Sequence, residues 1–595
     1  MPPPHTPLYT CHKHNSLHAD AGSDRAMPAS KSQCQIPPGA WFGADAVSPF
    51  TASTLHLNGG EAVQLKALPD AELRLDPKWL STFPEWSQQS DARNQADAWQ
   101  LAASRLARDR LLRVAILGLS PTSGCGAAEP WLPSMTDALP PWCVLHRSWS
   151  HRLLSSLDEA LRRLAPGATV QAHVTFQSAA RADVFSHCTT SYMPAGPPAD
   201  VVLLEVFSGI AFSGRGFARD LISAVRDASP GSAIVMVGWL PGHRGTLNET
   251  FINALYSEAR QQAVQADADV VDASWAITQH SDSLPSSTIF ARHGGDTAHP
   301  SAVGHALIAT LVGRHMSNRL HVALCSKDWR SAPIIRMHHP RAYGSARDGW
   351  ERCFSRADQL PLSAPLSGSW AIVDDGRAKR VPKLGLASWR VNETISLRLH
   401  DAPPAHVAAR CGFLFAEVVL GYLVSASRPA QGAFHLRCVG HCWCGRAPII
   451  VNAHMTPFPE VQTDALFSDD KTFLISNLSV TASTKFIALL NGTEGGTSFQ
   501  ACELEVQHTL ASGRVVRRRG RETTSRRDAK YGDPSRIRID NLHLRSIDRE
   551  ELRIFHKKLH RIPRHRRKMH GYPSYVQLAL NASSDEECTA SRSER

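Results

Sequence analysis

The stretch Asp296-Thr-Ala-His299-Pro300-Ser-Ala-Val-Gly304-His305 sets a carboxylate three residues from an imidazole, then opens an apolar run, Ala306-Leu-Ile-Ala-Thr-Leu-Val312, that reads as a helix. A carboxylate so placed can orient the histidine and stabilise its charged form while the other ring nitrogen serves a nucleophile. The nucleophile has to come from elsewhere. Far upstream, the apolar run Val114-Ala-Ile-Leu117 leads into Gly118-Leu119-Ser120-Pro121-Thr122 and then Gly124-Cys125-Gly126. Ser120 therefore stands where a buried strand gives way to a glycine-rich turn.

Between these two segments, strand-like runs at 114–117, 170–176, 201–207, 233–239 and 270–272 alternate with amphipathic stretches near 151–164, 216–228 and 249–266. Such alternation predicts a parallel sheet with helices on both faces. Ligands of such sheets bind at the carboxyl ends of the strands, where Ser120 and the Ser208-Gly209 turn are expected. Glu205, inside the run at 201–207, reads as a structural partner rather than an acid catalyst, and His305 as a packing or hydrogen-bonding residue.

On these segments the chain resembles the SGNH (GDSL-type) serine hydrolases. The family's Asp-x-x-His-Pro block is intact at Asp296–Pro300, and its Gly-Asp-Ser block corresponds to Gly118-Leu119-Ser120 with the acid lost. The resemblance implies a flavodoxin-like three-layer α/β fold, Ser120 as nucleophile, His299 as base and Asp296 as the acid that orients it. It also implies an oxyanion hole built from the serine's own N–H, a glycine after the second strand and an asparagine after the third. There the chain departs: it reads Gln177-Ser178-Ala179 without glycine, and Ser208-Gly209-Ile210 where the family shows Asn-Asp. Ser178, Ser208 and the N–H of Gly209 are the candidates to replace the lost donors, beside Ser120 itself.

From about 360 to 510 the grammar changes to some eight short β-type runs separated by turn residues, which predicts a β-sandwich-like domain. The order of the two parts resembles algal SGNH-like proteins with a C-terminal β domain, and implies carbohydrate binding or scaffolding for it. Trp370, Trp389 and Trp443 could stack on sugars, although tryptophans in a β domain are usually core. The expected organisation is a disordered Pro-, His- and Ser-rich segment at 1–50, an extension at 51–108 packing on a hydrolase-like domain at 109–335, the sandwich at 360–510, and a basic, largely disordered tail at 511–595.

The length of 595 residues and a 43% hydrophobic composition suit several cores and exclude a chain disordered throughout. Net charge is +11, but residues 511–570 hold 20 Lys+Arg against 7 Asp+Glu, a surplus of 13 that leaves the remainder at −2. Basicity therefore argues for an anionic polymer or surface only at the tail, where a solvated charge run is the plainer reading. Leu542, Leu544, Ile547, Leu552, Ile554 and Leu559 suggest a helix within it. Cys438-Val-Gly-His441-Cys442-Trp-Cys444 invites a zinc reading, but no second paired knuckle follows, so no metal is expected and the 13 cysteines read as disulfides or buried thiols. Asn-x-Ser/Thr sequons at 248, 392, 477, 491 and 581 hint at a secretory route, while the first residues show no signal-peptide pattern and no stretch is apolar enough to span a membrane.

Two function classes lead on the sequence, ahead of binding of nucleic acid or anionic surfaces through the tail. One is a serine esterase that needs no cofactor and acts on acyl or acetyl esters, with O-acylated glycans as the substrates suggested by the attached β domain. The other is a catalytically inactive protein of the same fold acting as a glycan-binding or scaffold module.

Overall fold

The computed structural model describes residues 53–57, 62–65, 95–127, 143–164, 167–177, 185–187, 189–207, 216–239, 249–274, 289–290, 299–325, 351–374, 384–400, 413–425, 432–440, 442–443, 448–452, 473–485, 502–509 and 536–546. The expected disordered segment at 1–50 lies outside them, as do 511–535 and 547–595 of the expected tail.

Seven strands form the first sheet: β1 (Thr54–Leu57), β2 (Ala62–Gln64), β3 (Leu111–Gly118), β4 (Thr169–Phe176), β5 (Val201–Glu205), β6 (Ala233–Gly238) and β7 (Asp269–Asp272). Their order is β2-β1-β4-β3-β5-β6-β7, with every neighbouring pair parallel except β1 and β2. Numbered within the set β4-β3-β5-β6-β7, this is the 2-1-3-4-5 order of flavodoxin-like sheets. The chain leaves β3 for β4 on one side and returns to β5 on the other. That reversal opens a crevice at the carboxyl ends of β3 and β5, the place where such sheets take ligands.

Among the described residues, five long helices cover the two faces: α1 (Ala96–Asp109), α2 (Trp149–Leu164), α3 (Phe217–Ala228), α4 (Glu249–Gln265) and α5 (Ala302–Cys325). Strand alternation decides which residue meets which helix. On β3, Leu112, Val114 and Ile116 enter the core under α1, α2 and α5, while Ala115 and Leu117 enter the core under α3 and α4. Because both faces are covered, the central strands read as near-continuous apolar runs. Burying each leucine or valine side chain contributes about 1.5–3 kcal/mol, so the cores draw on every position of these runs.

The extension expected at 51–108 does more than pack on this domain: it supplies β1, which lengthens the parallel sheet beyond β4. Ser53 Oγ accepts from Val170 N at 2.9 Å and donates to Asp158, tying the new strand to both sheet and helix. On the other side, the Gln95 amide acts as a short strand, donating to Ile234 O at 2.9 Å and accepting from Ile234 N at 2.7 Å.

The second domain is two antiparallel sheets. The larger runs β14-β16-β12-β18-β10-β9, with β8 also pairing β18, and the smaller runs β11-β17-β13-β15. The strands are β8 (Glu351–Phe354), β9 (Ala371–Asp374), β10 (Leu384–Ser388), β11 (Thr394–His400), β12 (Phe413–Ser425), β13 (Ala433–Gly440), β14 (Cys442–Trp443), β15 (Ile449–Asn452), β16 (Phe473–Lys485), β17 (Cys502–Thr509) and β18 (Ile537–Ser546). Leu386, Val418, Leu420 and Leu542 of the larger sheet meet Leu397, Phe434, Leu436 and Leu504 of the smaller in one core, which makes the pair a sandwich. Trp370 belongs to that core, Trp389 is exposed with the Arg536 guanidinium 5.3 Å from its ring centre, and the Trp443 side chain lies outside the described residues.

Here the structure differs from the sequence reading. Ile537–Ser546 was expected in the basic tail, its leucines on a helix, yet it is an interior strand pairing β10, β12 and β8. Ile537, Ile539, Leu542 and Leu544 are fully buried, with a register shift opposite Gly421 and Tyr422 that breaks the strict alternation. Arg538 is also buried and donates to Asp540 at 2.6 Å, so part of the segment's charge serves the fold. β8 likewise starts the sandwich before residue 360, and Cys353 on it packs against the α3/α4 core of the first domain. Cys438, the first residue of the segment that invited a zinc reading, is disulfide-bonded. No described helix is long and apolar enough to cross a membrane.

Candidate active site

Ser120 sits two residues beyond the carboxyl end of β3, in the crevice at the strand-order reversal. His299 precedes α5 by three residues, and its Nε2 lies 2.7 Å from Ser120 Oγ. Both residues are partly exposed. Residues 179 apart in sequence are thus brought within hydrogen-bond distance at an accessible place. Asp296, Ser178, Ser208 and Gly209 lie outside the described residues.

The serine turn is held from several directions. Leu119 N–H and Thr122 Oγ1–H, on either side of Ser120, both donate to Glu205 Oε2 at 3.1 Å, and Leu119 N–H also reaches Glu205 O at 3.1 Å. Glu205 is fully buried at the end of β5, so its carboxylate fixes the turn and does not face solvent. The Ser120 carbonyl accepts from Ser123 Oγ at 2.8 Å and from Cys125 N at 3.2 Å. Cys125 is joined to Cys143 by a disulfide that closes 18 residues of chain, and Val144 N donates to Gly124 O at 3.0 Å beside it.

Two glycines make this geometry accessible. A Cβ on Gly118 would fall 1.8 Å from Thr122 Oγ1, the hydroxyl that binds Glu205. Gly124 has φ +81 and would place a Cβ 2.3 Å from Val144 O, so only glycine fits both its conformation and its neighbour.

The histidine is set by the start of α5. Ser301 caps the helix, its Oγ accepting from Gly304 N at 3.2 Å, while Ser301 N donates to Ile289 O at 2.7 Å. Pro300 pairs with Phe290 in a single bridge, which fixes the backbone next to His299. A Cβ on Gly304 would stand 2.4 Å from the Ile289 carbonyl oxygen, a backbone atom that cannot rotate away. Gly304→Ala is expected to push α5 from the 289–290 segment, costing about 1–3 kcal/mol in urea unfolding. A variant as stable as wild type would show that this contact does not set the helix.

His305 is fully buried one turn into α5. Its Nδ1 accepts from Trp149 N at 3.1 Å, so the ring proton resides on Nε2, which donates to Cys125 O at 3.1 Å. Burial pushes its pKa down to about 3, with Arg152 and His299 lowering it further against the hydrogen bond to Cys125, so the ring is neutral. Sequence reading placed His305 as a hydrogen-bonding residue, but the partners Cys125 and Trp149 carry no local signal that would name them. The same holds for Glu205, whose strand reads as plain apolar core.

No family model and no curated protein sequence matches the chain. Among solved structures it is similar to a GDSL-like lipase of Parabacteroides merdae, at 13% identity over 36% of this chain and 97% of that one, with a TM-score of 0.25. It is also similar to a family 3 carbohydrate esterase of Clostridium thermocellum, at 15% identity over 36% and 98% of the two chains with a TM-score of 0.27. A third is an acetylxylan esterase of Geobacillus stearothermophilus, at 14% identity over 34% and 94% with a TM-score of 0.25. Likeness at this level carries no argument about activity.

Proposed function

We propose that the chain is a serine esterase in which Ser120 attacks the acyl carbon of an ester. The observation that carries this reading is the 2.7 Å approach of His299 Nε2 to Ser120 Oγ in the crevice of the parallel sheet. His299 takes the hydroxyl proton as the Oγ–C bond forms, then passes it to the leaving alcohol as the tetrahedral intermediate collapses to an acyl-serine. Water enters by the same route in reverse and releases the acid. Asp296, three residues before His299, is assigned to orient the ring and stabilise its charged form. No cofactor enters these steps.

The oxyanion is assigned to the Ser120 N–H together with a donor from Ser178, Ser208 or the Gly209 N–H. One such donor is worth on the order of 3 kcal/mol. Gly209, standing where the resemblance would place an asparagine amide, favours the second reading, a non-catalytic glycan-binding or scaffold module. Acetylated or otherwise acylated glycans are the proposed substrates, with the sandwich as the part that meets the carbohydrate. The charge surplus on either side of β18, at 511–535 and beyond 546, is assigned to an anionic polymer or surface.

Turnover of an aryl acetate by the purified full chain, with Ser120→Ala as the blank, separates the two readings. The esterase exceeds its blank at equal folded concentration. Wild-type turnover equal to the blank selects the non-catalytic reading.

A further inference from the structure

We propose that His305 is a positioning residue, which sets the approach of Ser120 to His299 by joining the serine turn to the helix behind the histidine. The inference rests on the esterase reading for its consequence in catalysis, and on geometry alone for the link itself. Apart from the Ser120–His299 contact, a short route between the two residues runs through this ring. It passes from the Ser120 carbonyl to Cys125 N–H at 3.2 Å, across that residue to its carbonyl, and on to His305 Nε2–H at 3.1 Å. His305 N then donates to Ser301 O at 2.8 Å, two residues from His299.

A third element closes the frame. The other ring nitrogen of His305 holds Trp149 N–H, the first residue of α2, and Ser150 Oγ from the same turn donates to Thr122 O at 3.0 Å. Ser148 caps that helix by accepting from His151 N at 3.1 Å. The Cys125–Cys143 disulfide anchors the far side of Cys125 covalently, so the peptide that His305 grips cannot drift away from the segment entering α2. One neutral ring thus joins α5, α2 and the serine turn, with an acceptor on one side and a donor on the other. A cation there would present N–H to N–H at Trp149, so burial of the neutral form suits the task.

Positioning of this kind has a specific signature, because a displacement of about 1 Å between reacting groups can cost a hundredfold in rate without altering binding. The two bonds of His305 can be separated by substitution. Asparagine keeps an acceptor at the place of Nδ1 but stops short of Cys125 O, whereas the longer glutamine carries an N–H to the place of Nε2. The experiment uses the full chain, confirms folding by circular dichroism, and reads two quantities: the rate of Ser120 labelling by a fluorophosphonate, and the 15N shift of His299 Nε2.

His305→Asn is expected to label on the order of tenfold to a hundredfold more slowly, with KM for an aryl acetate unchanged and the His299 shift moved toward that of an unbonded ring. His305→Gln is expected to recover most of the labelling rate and the wild-type shift. A folded His305→Asn protein with wild-type labelling and an unmoved shift overturns the proposal. If wild type itself does not label, the esterase reading fails, and the His299 shift still decides the link. Should His305→Asn not fold, Ser123→Ala takes its place: it removes the other donor to the Ser120 carbonyl, so the route through His305 alone must hold it. Labelling near the wild-type rate supports the proposal, and a tenfold loss assigns the role to Ser123 instead.

Discussion

Replacing His299 by glutamine is expected to lower turnover of an aryl ester on the order of 10⁴-fold, with KM little changed, because the role proposed for the ring is to carry the proton and not to bind substrate. Ser120→Ala is expected to fall as far, and the double variant no further. Residues that act as one unit lose their whole contribution when either is removed. Losses that multiply in the double variant, or a His299→Gln protein that keeps more than about a tenth of wild-type turnover, would show that the 2.7 Å contact is incidental to the chemistry.

The second large effect falls on stability and lies away from the crevice. Asp269, at the start of β7, accepts from Trp99 Nε1 at 3.0 Å, from Arg319 Nη2 at 2.6 Å and Nε at 3.0 Å, and pairs with His315 Nε2 at 2.9 Å. It is the acceptor that joins α1, β7 and α5, and His299 hangs from the start of α5. Asp269→Ala takes this carboxylate from the half-buried Arg319 guanidinium and from the buried Trp99 indole N–H, at a cost of about 3–5 kcal/mol in urea unfolding. A loss below about 1 kcal/mol would show that water or a neighbouring carbonyl replaces the carboxylate.

Acid tests the same residue. Burial alone would raise the Asp269 pKa, but its hydrogen bonds and charge interactions with His315 and Arg319 outweigh burial and hold it below the usual carboxylate value. A carboxyl depressed in the folded state stabilises the fold above its unfolded pKa, about 3.9, and loses that contribution as pH falls through the folded value. The stability gap between wild type and Asp269→Asn is therefore expected to shrink as pH falls below about 4.

The α/β domain was largely legible because its central strands are buried on both faces and read as near-continuous apolar runs. The boundaries of β4 and β6 and of helices α2, α3 and α4 fall within two residues of those expected from periodicity. Ser120 and His299 were legible for a different reason: each stands just outside a strongly patterned element, so the element fixes where the residue must emerge. Glu205 and His305 were visible only as buried polar residues, since their roles depend on partners 83 and 180 residues away in sequence.

The segment 537–546 does not read as a strand from sequence because its apolar residues are interspersed with Arg538, Asp540 and Arg545 inside a region of high charge. Net charge there outweighed period-2 alternation, which the shift opposite Gly421 had already broken. β1 was legible neither as a strand nor as part of the sheet: four residues give too little alternation, and its pairing with β4 spans more than a hundred residues. Ser178, Ser208 and Gly209, the proposed oxyanion donors beside the Ser120 N–H, lie outside the described residues.

The most direct test of the esterase reading is fluorophosphonate labelling of the purified full chain, followed by peptide mapping. Attack forms an Oγ–P bond, expels fluoride and delivers the hydroxyl proton to His299, so it reports an activated serine without knowledge of the natural ester. The expected result is a single adduct on the peptide bearing Ser120, lost in Ser120→Ala and in His299→Gln. An unlabelled wild type, or an adduct on another serine that persists in both variants, would contradict it.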